Sequence, residues 1–235
     1  MRNINFENNE YYHIFNRGVD KRDVFLDDKD YWKFFDCLRD FNNKTYYEER
    51  LGVLGLSKHS IREIRSDDFK RLGSFLKEQE RVVNLPSYNL IKNHFHGVVQ
   101  QLQDNGVSNL MHKVGLSYTG YFNKKNNRSG ALFQGTYKAV HIENTEHLLW
   151  VLGYVNGNIE IHGLGKASDY PWSSYRAICE ELDGISKRSN LSVLSGLDII
   201  KTHFTTAKEF EEFARMVVKE SRAKKEMMKK YSLDL

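Results

Sequence analysis

The chain has 235 residues, of which 40% are hydrophobic and 28% are charged, a composition typical of a folded globular protein. Thirty-five Lys and Arg residues against 31 Asp and Glu residues give a net charge of +4, which permits an anionic partner without requiring one. The two cysteines, Cys37 and Cys179, are far apart in the sequence, which argues against a disulfide framework and against a cysteine-based zinc site. No apolar stretch predicts a signal peptide or a membrane span, so we expect a soluble cytoplasmic protein without a membrane partner.

The first third of the chain predicts one strand, one helix and an insertion. Residues 11–16, YYHIFN, are aromatic and β-branched enough to form a strand. A helix is predicted in DYWKFFDCLRDF, and the acidic residues that precede it suit its cap and its dipole better than a metal ion. Residues 43–85 are polar and charge-mixed, and we interpret them as an insertion with short helical segments such as DDFKRLGSFLKEQE.

From Pro86 onwards the pattern predicts the centre of a sheet. SYNLI and HFHGVVQ form two predicted strands that are separated by a short break at Lys92 and Asn93. A helix is expected from Val107 to about Asn123, followed by a strand over residues 136–142 and by a helix that begins near Asn144. The closing segment, AKEFEEFARMVVKESRAKKEMMKKY, predicts a further helix with a basic end. Periodicity alone does not decide whether the sheet is antiparallel or parallel.

His94 and His96 are two residues apart on a predicted strand, so both project from one face of the sheet. Imidazoles in this arrangement can bind a divalent cation, and they can equally be a hydrogen-bonded pair on a half-buried strand. A cation would need a third ligand, and none lies nearby in the sequence.

Tyr154 and Asn158 are four residues apart on the helix predicted after Asn144, and therefore share one face of it. They lie beside an apolar stripe through which the helix would pack against the sheet. An amide oxygen can complete the shell of a cation, and a tyrosine can be a covalent nucleophile. An interfacial tyrosine and a polar residue near the helix end would explain the same pair. The stripe consists of Leu148, Leu152, Val155 and Ile159.

Residues 105–142 contain no Asp or Glu, although the chain has 31 acidic residues. Cations that meet phosphates and aromatic rings that stack on bases suit single-stranded nucleic acid. A solvated basic turn with ordinary core aromatics is the alternative. The residues predicted to contact DNA are Lys113, Tyr118, Tyr121, Lys124, Lys125, Arg128 and Lys138.

Four stretches in this order resemble the single-tyrosine transposases of the HUH superfamily, and most closely the branch called REP-associated tyrosine transposases. They are YHIFNRGVDKRDVFLDDKDYWKF, NHFHGVV, SGALFQGTYKAVHIENTEHLLWVLGYVNGNIEIHGL and DYPWSSYRAI. The resemblance covers residues 11–42 and 86–178. The chain departs from the family pattern at Lys92, Ile159 and His162, but it keeps all four catalytic groups.

The resemblance assigns His94 and His96 as metal ligands, Asn158 as the third ligand and Tyr154 as the nucleophile. It implies an α+β fold with a ferredoxin/RRM-like central antiparallel sheet, helices packed on it, the histidine pair on a middle strand and the catalytic tyrosine on a following helix. It implies Mg²⁺- or Mn²⁺-dependent cleavage of single-stranded DNA through a 5′-phosphotyrosine, with hairpin or palindromic ends as the substrate.

For the whole chain we expect a transposase domain over residues 1–180 and a helical, basic C-terminal extension over residues 181–235. The protein would be nucleoid-associated and either a monomer or a homodimer. Two other functions fit the sequence less fully. One is a DNA-binding regulator that keeps the fold without cutting DNA, and the other is an unrelated metal hydrolase in which Tyr154 has no role.

Overall fold

The computed structural model of the chain describes residues 4–43, 81–185 and 193–230. Most of the predicted insertion, residues 44–80, lies outside these ranges, together with the helix predicted in DDFKRLGSFLKEQE.

The described chain forms a four-stranded antiparallel sheet in the strand order β2-β3-β1-β4. Among the described residues, one helix lies between β1 and β2 and another between β3 and β4, which gives the ferredoxin-like arrangement. The predicted α+β fold is thereby confirmed. These elements are β1 (Tyr11–Arg17), α1 (Asp28–Phe41), β2 (Val83–Ile91), β3 (His94–Gln101), α2 (Gly106–Lys125) and β4 (Lys138–Ile142).

The hairpin between β2 and β3 places the two histidines at the centre of the sheet. Ile91 pairs with His94 across a turn formed by Lys92 and Asn93, where the sequence predicted a break. β3 also pairs with β1, with His96 opposite Phe15, so β3 is a middle strand as predicted.

The sheet separates two hydrophobic cores. On one face α1 and α2 pack against the sheet around Phe34, Phe95 and Tyr118, and the N-terminus of α1 is capped by Asp27, whose side chain accepts a hydrogen bond from the Asp30 amide. The acidic residues at this position therefore serve the helix, as the sequence predicts. The other face is covered by the helices that follow β4.

These later helices are α3 (Thr145–Asn156), α4 (Asn158–Ile161), α5 (Tyr175–Leu182), α6 (Asp198–Lys201) and α7 (Ala207–Lys230). The predicted apolar stripe is buried, with at most 3% of Leu148, Leu152, Val155 or Ile159 exposed. One expectation was wrong. Tyr154 and Asn158 do not share one continuous helix, because α3 ends at Asn156 and a second short segment begins after Gly157.

The long helix α7 packs against α3 and the residue after it, at Gly153 before Tyr154 and at Gly157 after it. A Cβ atom added at Gly153 would lie 2.9 Å from Val217 Cγ2, and one added at Gly157 would lie 2.3 Å from Val218 Cγ2. The two glycines therefore allow an approach that a larger residue would prevent. The division into a domain of residues 1–180 and an extension of residues 181–235 stays a prediction, although α7 shares a core with the tyrosine helix. No helix in the described ranges is both long enough and apolar enough to cross a membrane.

Candidate active site

His94, His96, Tyr154 and Asn158 converge on the face of the sheet that carries α3. Phe95 points into the opposite core, so strand alternation directs both histidines towards α3 and α4. The His94 and His96 rings lie 5.2 Å apart between centroids, and Asn158 Oδ1 lies 3.2 Å from His94 Nε2. The structure thus brings together the two predicted pairs, which are about sixty residues apart in the sequence.

The hydrogen bonds of Asn93 fix the tautomer of His94. Asn93 Nδ2 donates to the carbonyl of Lys21, which leaves Asn93 Oδ1 as the atom that lies 2.6 Å from His94 Nδ1. An amide oxygen only accepts hydrogen bonds, so Nδ1 carries the proton and Nε2 of the neutral ring bears a lone pair. That lone pair faces another acceptor, Asn158 Oδ1.

A positive charge between two acceptors at this separation would stabilise the contact. Burial lowers the pKa of His94 and lowers that of His96 well below the usual value, which favours the neutral imidazoles that a cation would bind. Two ligand atoms bound at right angles to a cation, each at about 2.1 Å, lie about 3.0 Å apart. The separation between His94 Nε2 and Asn158 Oδ1 therefore fits two ligands of one divalent metal.

The amide oxygen is essential to such a site. Within residues 4–43, 81–185 and 193–230, no three His, Cys, Asp or Glu side chains are placed to hold one metal ion. Two imidazoles need a further donor, and Asn158 is fully buried beside His94. The donors present therefore fit a cation with mixed nitrogen and oxygen ligands.

The Tyr154 ring lies against His96. Its ring centroid is 5.8 Å from that of His96, with the two rings in an edge-to-face arrangement. Burial raises the pKa of the Tyr154 phenol, while a donated hydrogen bond from the Asn158 side chain opposes that rise. Asn158 Nδ2 is buried and makes no hydrogen bond of ordinary geometry within the described chain. Asn158 can therefore present its oxygen to a cation and its nitrogen to the nucleophile.

An open cavity of about 210 Å³ adjoins the histidines, and its lining carries positive charge without any acidic residue. Arg17 and Lys138, both exposed, supply that charge beside His94 and His96. A phosphate group suits such a cavity, because cationic side chains meet its oxygens.

Two residues of this region were not assigned a role from the sequence. His162 lines the cavity, with its ring 5.0 Å from that of His94, and His13 lies behind His96 on β1. The one local signal for His13 is its place on the same strand face as Tyr11 and Phe15. Its position beside His96 depends on the pairing of β1 with β3.

The structure corrects two of the predicted DNA contacts. Tyr118 is completely buried, and its hydroxyl donates to the carbonyl of Val24, so its ring cannot stack on a base. Lys125 is held by Asp27 and by the buried Asp30, at 2.8 and 2.6 Å, so its charge is already neutralised within the protein. Both residues stabilise the contact between α1 and α2.

The remaining predicted contacts differ in their surroundings. Tyr121 is half-buried under Lys125, and Arg128 donates to Asn123 and to a backbone carbonyl, which organises its own loop. Lys113 and Lys124 are exposed on α2. Lys138 is the member of the predicted set that lines the cavity next to the histidines.

No protein-family model matches the chain, and no curated protein matches it. A solved structure that is similar to the chain is that of a REP-associated tyrosine transposase bound to a REP hairpin. The similarity covers 84% of this chain and 92% of that chain, with a TM-score of 0.48 and 12% sequence identity. At this identity the roles of individual residues depend on their own geometry.

Proposed function

We propose that the protein is a metal-dependent endonuclease and strand transferase that cuts single-stranded DNA with Tyr154 as the nucleophile. The observation that carries the proposal is the convergence of Tyr154 and Asn158 on the histidine pair, with two neutral acceptor atoms facing each other at 3.2 Å. Such a site could bind a cation together with the phosphate group that the Tyr154 phenol attacks.

His94, His96 and Asn158 would hold the cation. A divalent ion held by these residues would supply positive charge that polarises the scissile phosphate and stabilises the charge that develops on it. Two imidazole ligands favour Mn²⁺ over Mg²⁺, because Mg²⁺ prefers oxygen ligands. Arg17 and Lys138 would bind the non-bridging oxygens of the substrate phosphates from the mouth of the cavity.

Tyr154 would form the covalent intermediate. Its Oη attacks phosphorus, and the bond from phosphorus to the 3′ oxygen breaks. The phenol loses one proton, and the departing 3′ oxygen takes up one proton, so the step is balanced. The products are a 5′-phosphotyrosine and a free 3′-hydroxyl. Attack by another 3′-hydroxyl reverses the step and joins strands without an external energy source, since the phosphodiester energy is kept in the covalent link.

The substrate we propose is single-stranded DNA with a hairpin end. The similar solved structure holds a REP hairpin, and the cavity that His94 and His96 line is free of acidic residues. Tyr154 lies against His96 of the same chain, which supports attack by the tyrosine of that chain.

The test uses labelled hairpin-bearing single-stranded DNA and Mn²⁺, followed by denaturing electrophoresis. The wild-type protein is expected to form a covalent adduct, and Tyr154→Phe is expected to form none while still binding the DNA. Tyr175→Phe is a matched control, because it removes a phenolic oxygen from the buried core of the same face. Full cleavage by Tyr154→Phe would show that the tyrosine mechanism is wrong. Binding without any wild-type adduct would favour the non-cleaving regulator.

A further inference from the structure

His13 occupies the position behind His96, where it contacts the side of that ring that faces away from the cavity. His13 Nε2 lies 2.9 Å from His96 Nδ1, and the two rings stack with centroids 5.1 Å apart. His94 and His96 line the cavity, whereas His13 does not. His13 therefore contacts a proposed ligand rather than the space in which a cation and a phosphate would bind.

A hydrogen bond between two neutral imidazoles has two possible directions, and they have opposite consequences for His96. If His13 Nε2 donates, the proton of His96 is on Nε2, and that atom has no lone pair for a metal. If His96 Nδ1 donates, its Nε2 carries the lone pair.

The other histidine shows which direction the site uses. Asn93 Oδ1 accepts from His94 Nδ1 and thereby leaves His94 Nε2 free on the side of Asn158. Histidine ligands of metals are commonly oriented in this way, with one ring nitrogen donating to a protein acceptor while the other binds the metal. The same logic applied to His96 requires His13 to be the acceptor.

We propose that His13 is a positioning residue that accepts a hydrogen bond from His96 Nδ1 and so holds His96 in the tautomer whose Nε2 can bind a cation. This inference rests on the proposed metal site and deepens it. His13 also packs edge-to-face against Tyr154, with centroids 6.1 Å apart, so one side chain sets the orientation of a ligand next to the nucleophile.

The first test needs no variant and no metal. Nitrogen chemical shifts of the histidine rings in the metal-free protein report which nitrogen of His96 carries the proton. We expect a protonated Nδ1 and an unprotonated Nε2 for His96. We also expect an unprotonated Nε2 for His13, because that atom accepts the hydrogen bond from His96 Nδ1. A proton on His96 Nε2 would overturn the proposal, whatever the protein does to DNA.

The second test measures Mn²⁺ affinity from the signal of free Mn²⁺ in electron paramagnetic resonance, without DNA. His13→Leu removes the acceptor and is expected to weaken binding by about 10- to 100-fold. His13→Gln offers an amide oxygen as the acceptor, and its Mn²⁺ affinity is expected to remain within about 3-fold of that of the wild type. This variant shows whether the loss in His13→Leu comes from the missing acceptor or from a folding defect. His141→Gln is the control, because His141 is a half-exposed histidine on the neighbouring strand β4 that forms an ion pair with Glu10 rather than a contact with His96.

The outcomes separate this inference from the proposed function. Unchanged Mn²⁺ affinity in folded His13→Leu would overturn the positioning role. A loss in His13→Gln as large as that in His96→Ala would overturn it in favour of His13 as a ligand itself. Wild-type protein that binds no Mn²⁺ would refute the metal-dependent function, while the tautomer measurement would still decide the hydrogen bond of His13.

Discussion

Replacing Gly157 with alanine adds one methyl group at the point where α7 meets the tyrosine helix. The Cβ atom would lie 2.3 Å from Val218 Cγ2 and 3.1 Å from the carbonyl oxygen of Gly153. The backbone of Gly157, at φ −83° and ψ 0°, is open to any residue, so the cost comes from the contact and not from the conformation. Since Val218 is buried and is part of a packed helix, the two elements have to move apart.

Overpacking of this kind costs about 1–3 kcal/mol of the free energy of unfolding. The second change, Val218→Ala, removes the clashing methyl groups and by itself costs about 2 kcal/mol in lost burial. In Gly157→Ala/Val218→Ala the new methyl group occupies space that the valine has left. We therefore expect the double variant to lose about 1–2 kcal/mol less unfolding free energy than the sum of the losses in the two single variants.

Equilibrium unfolding in urea, followed by circular dichroism, measures each free energy, and the adduct assay reports on Tyr154. Gly157→Ala should also lower adduct formation, because the methyl group displaces the segment between Tyr154 and Asn158. Gly120→Ala is the control, since it lies on the exposed side of α2 with no atom within 4 Å of the added Cβ. It should be up to about 1 kcal/mol more stable than the wild type. Wild-type stability of Gly157→Ala, with additive effects in the double variant, would refute the packing of α7 on α3.

Three further predictions follow from groups whose surroundings the structure defines. Lys125→Met leaves the buried carboxylate of Asp30 without its lysine and should cost about 2 kcal/mol in urea unfolding, whereas the neighbouring Lys124→Met should stay within about 0.5 kcal/mol of the wild type. Tyr118→Phe removes a buried hydrogen bond and should lower the free energy of unfolding by about 1 kcal/mol. Its DNA affinity in a filter-binding assay should be unchanged, and a clear loss of affinity would show that Tyr118 contacts DNA. Burial raises the pKa of the Cys179 thiol to about 12. At pH 8 this thiol should therefore react with a disulfide reagent at least about 100-fold more slowly than in the unfolded chain, and its rate should increase as the pH rises towards 12. Equal rates for the folded and the unfolded chain at pH 8 would contradict the burial of this thiol.

The sequence by itself determined most of the elements that carry the site. Strand alternation placed His94 and His96 on one face, and the apolar stripe that includes Leu152 correctly predicted which side of the tyrosine helix is buried. These features can be predicted from the sequence because the period of a strand or a helix fixes which nearby residues share a face. The resemblance to single-tyrosine transposases then linked the histidines to Tyr154, which periodicity could not do.

Only the tertiary structure decided which groups meet. The sequence showed that Tyr118 and Lys125 belong to an aromatic, basic segment, but burial and the ion pairs with α1 remove both from the surface that could meet DNA. His13 gained its place beside His96 from strand pairing across 83 residues, and Gly153 its importance from the distant helix α7. The physical reason is the same in each case. Local patterns fix the direction of a side chain, while its partner depends on contacts between segments that are distant in the chain.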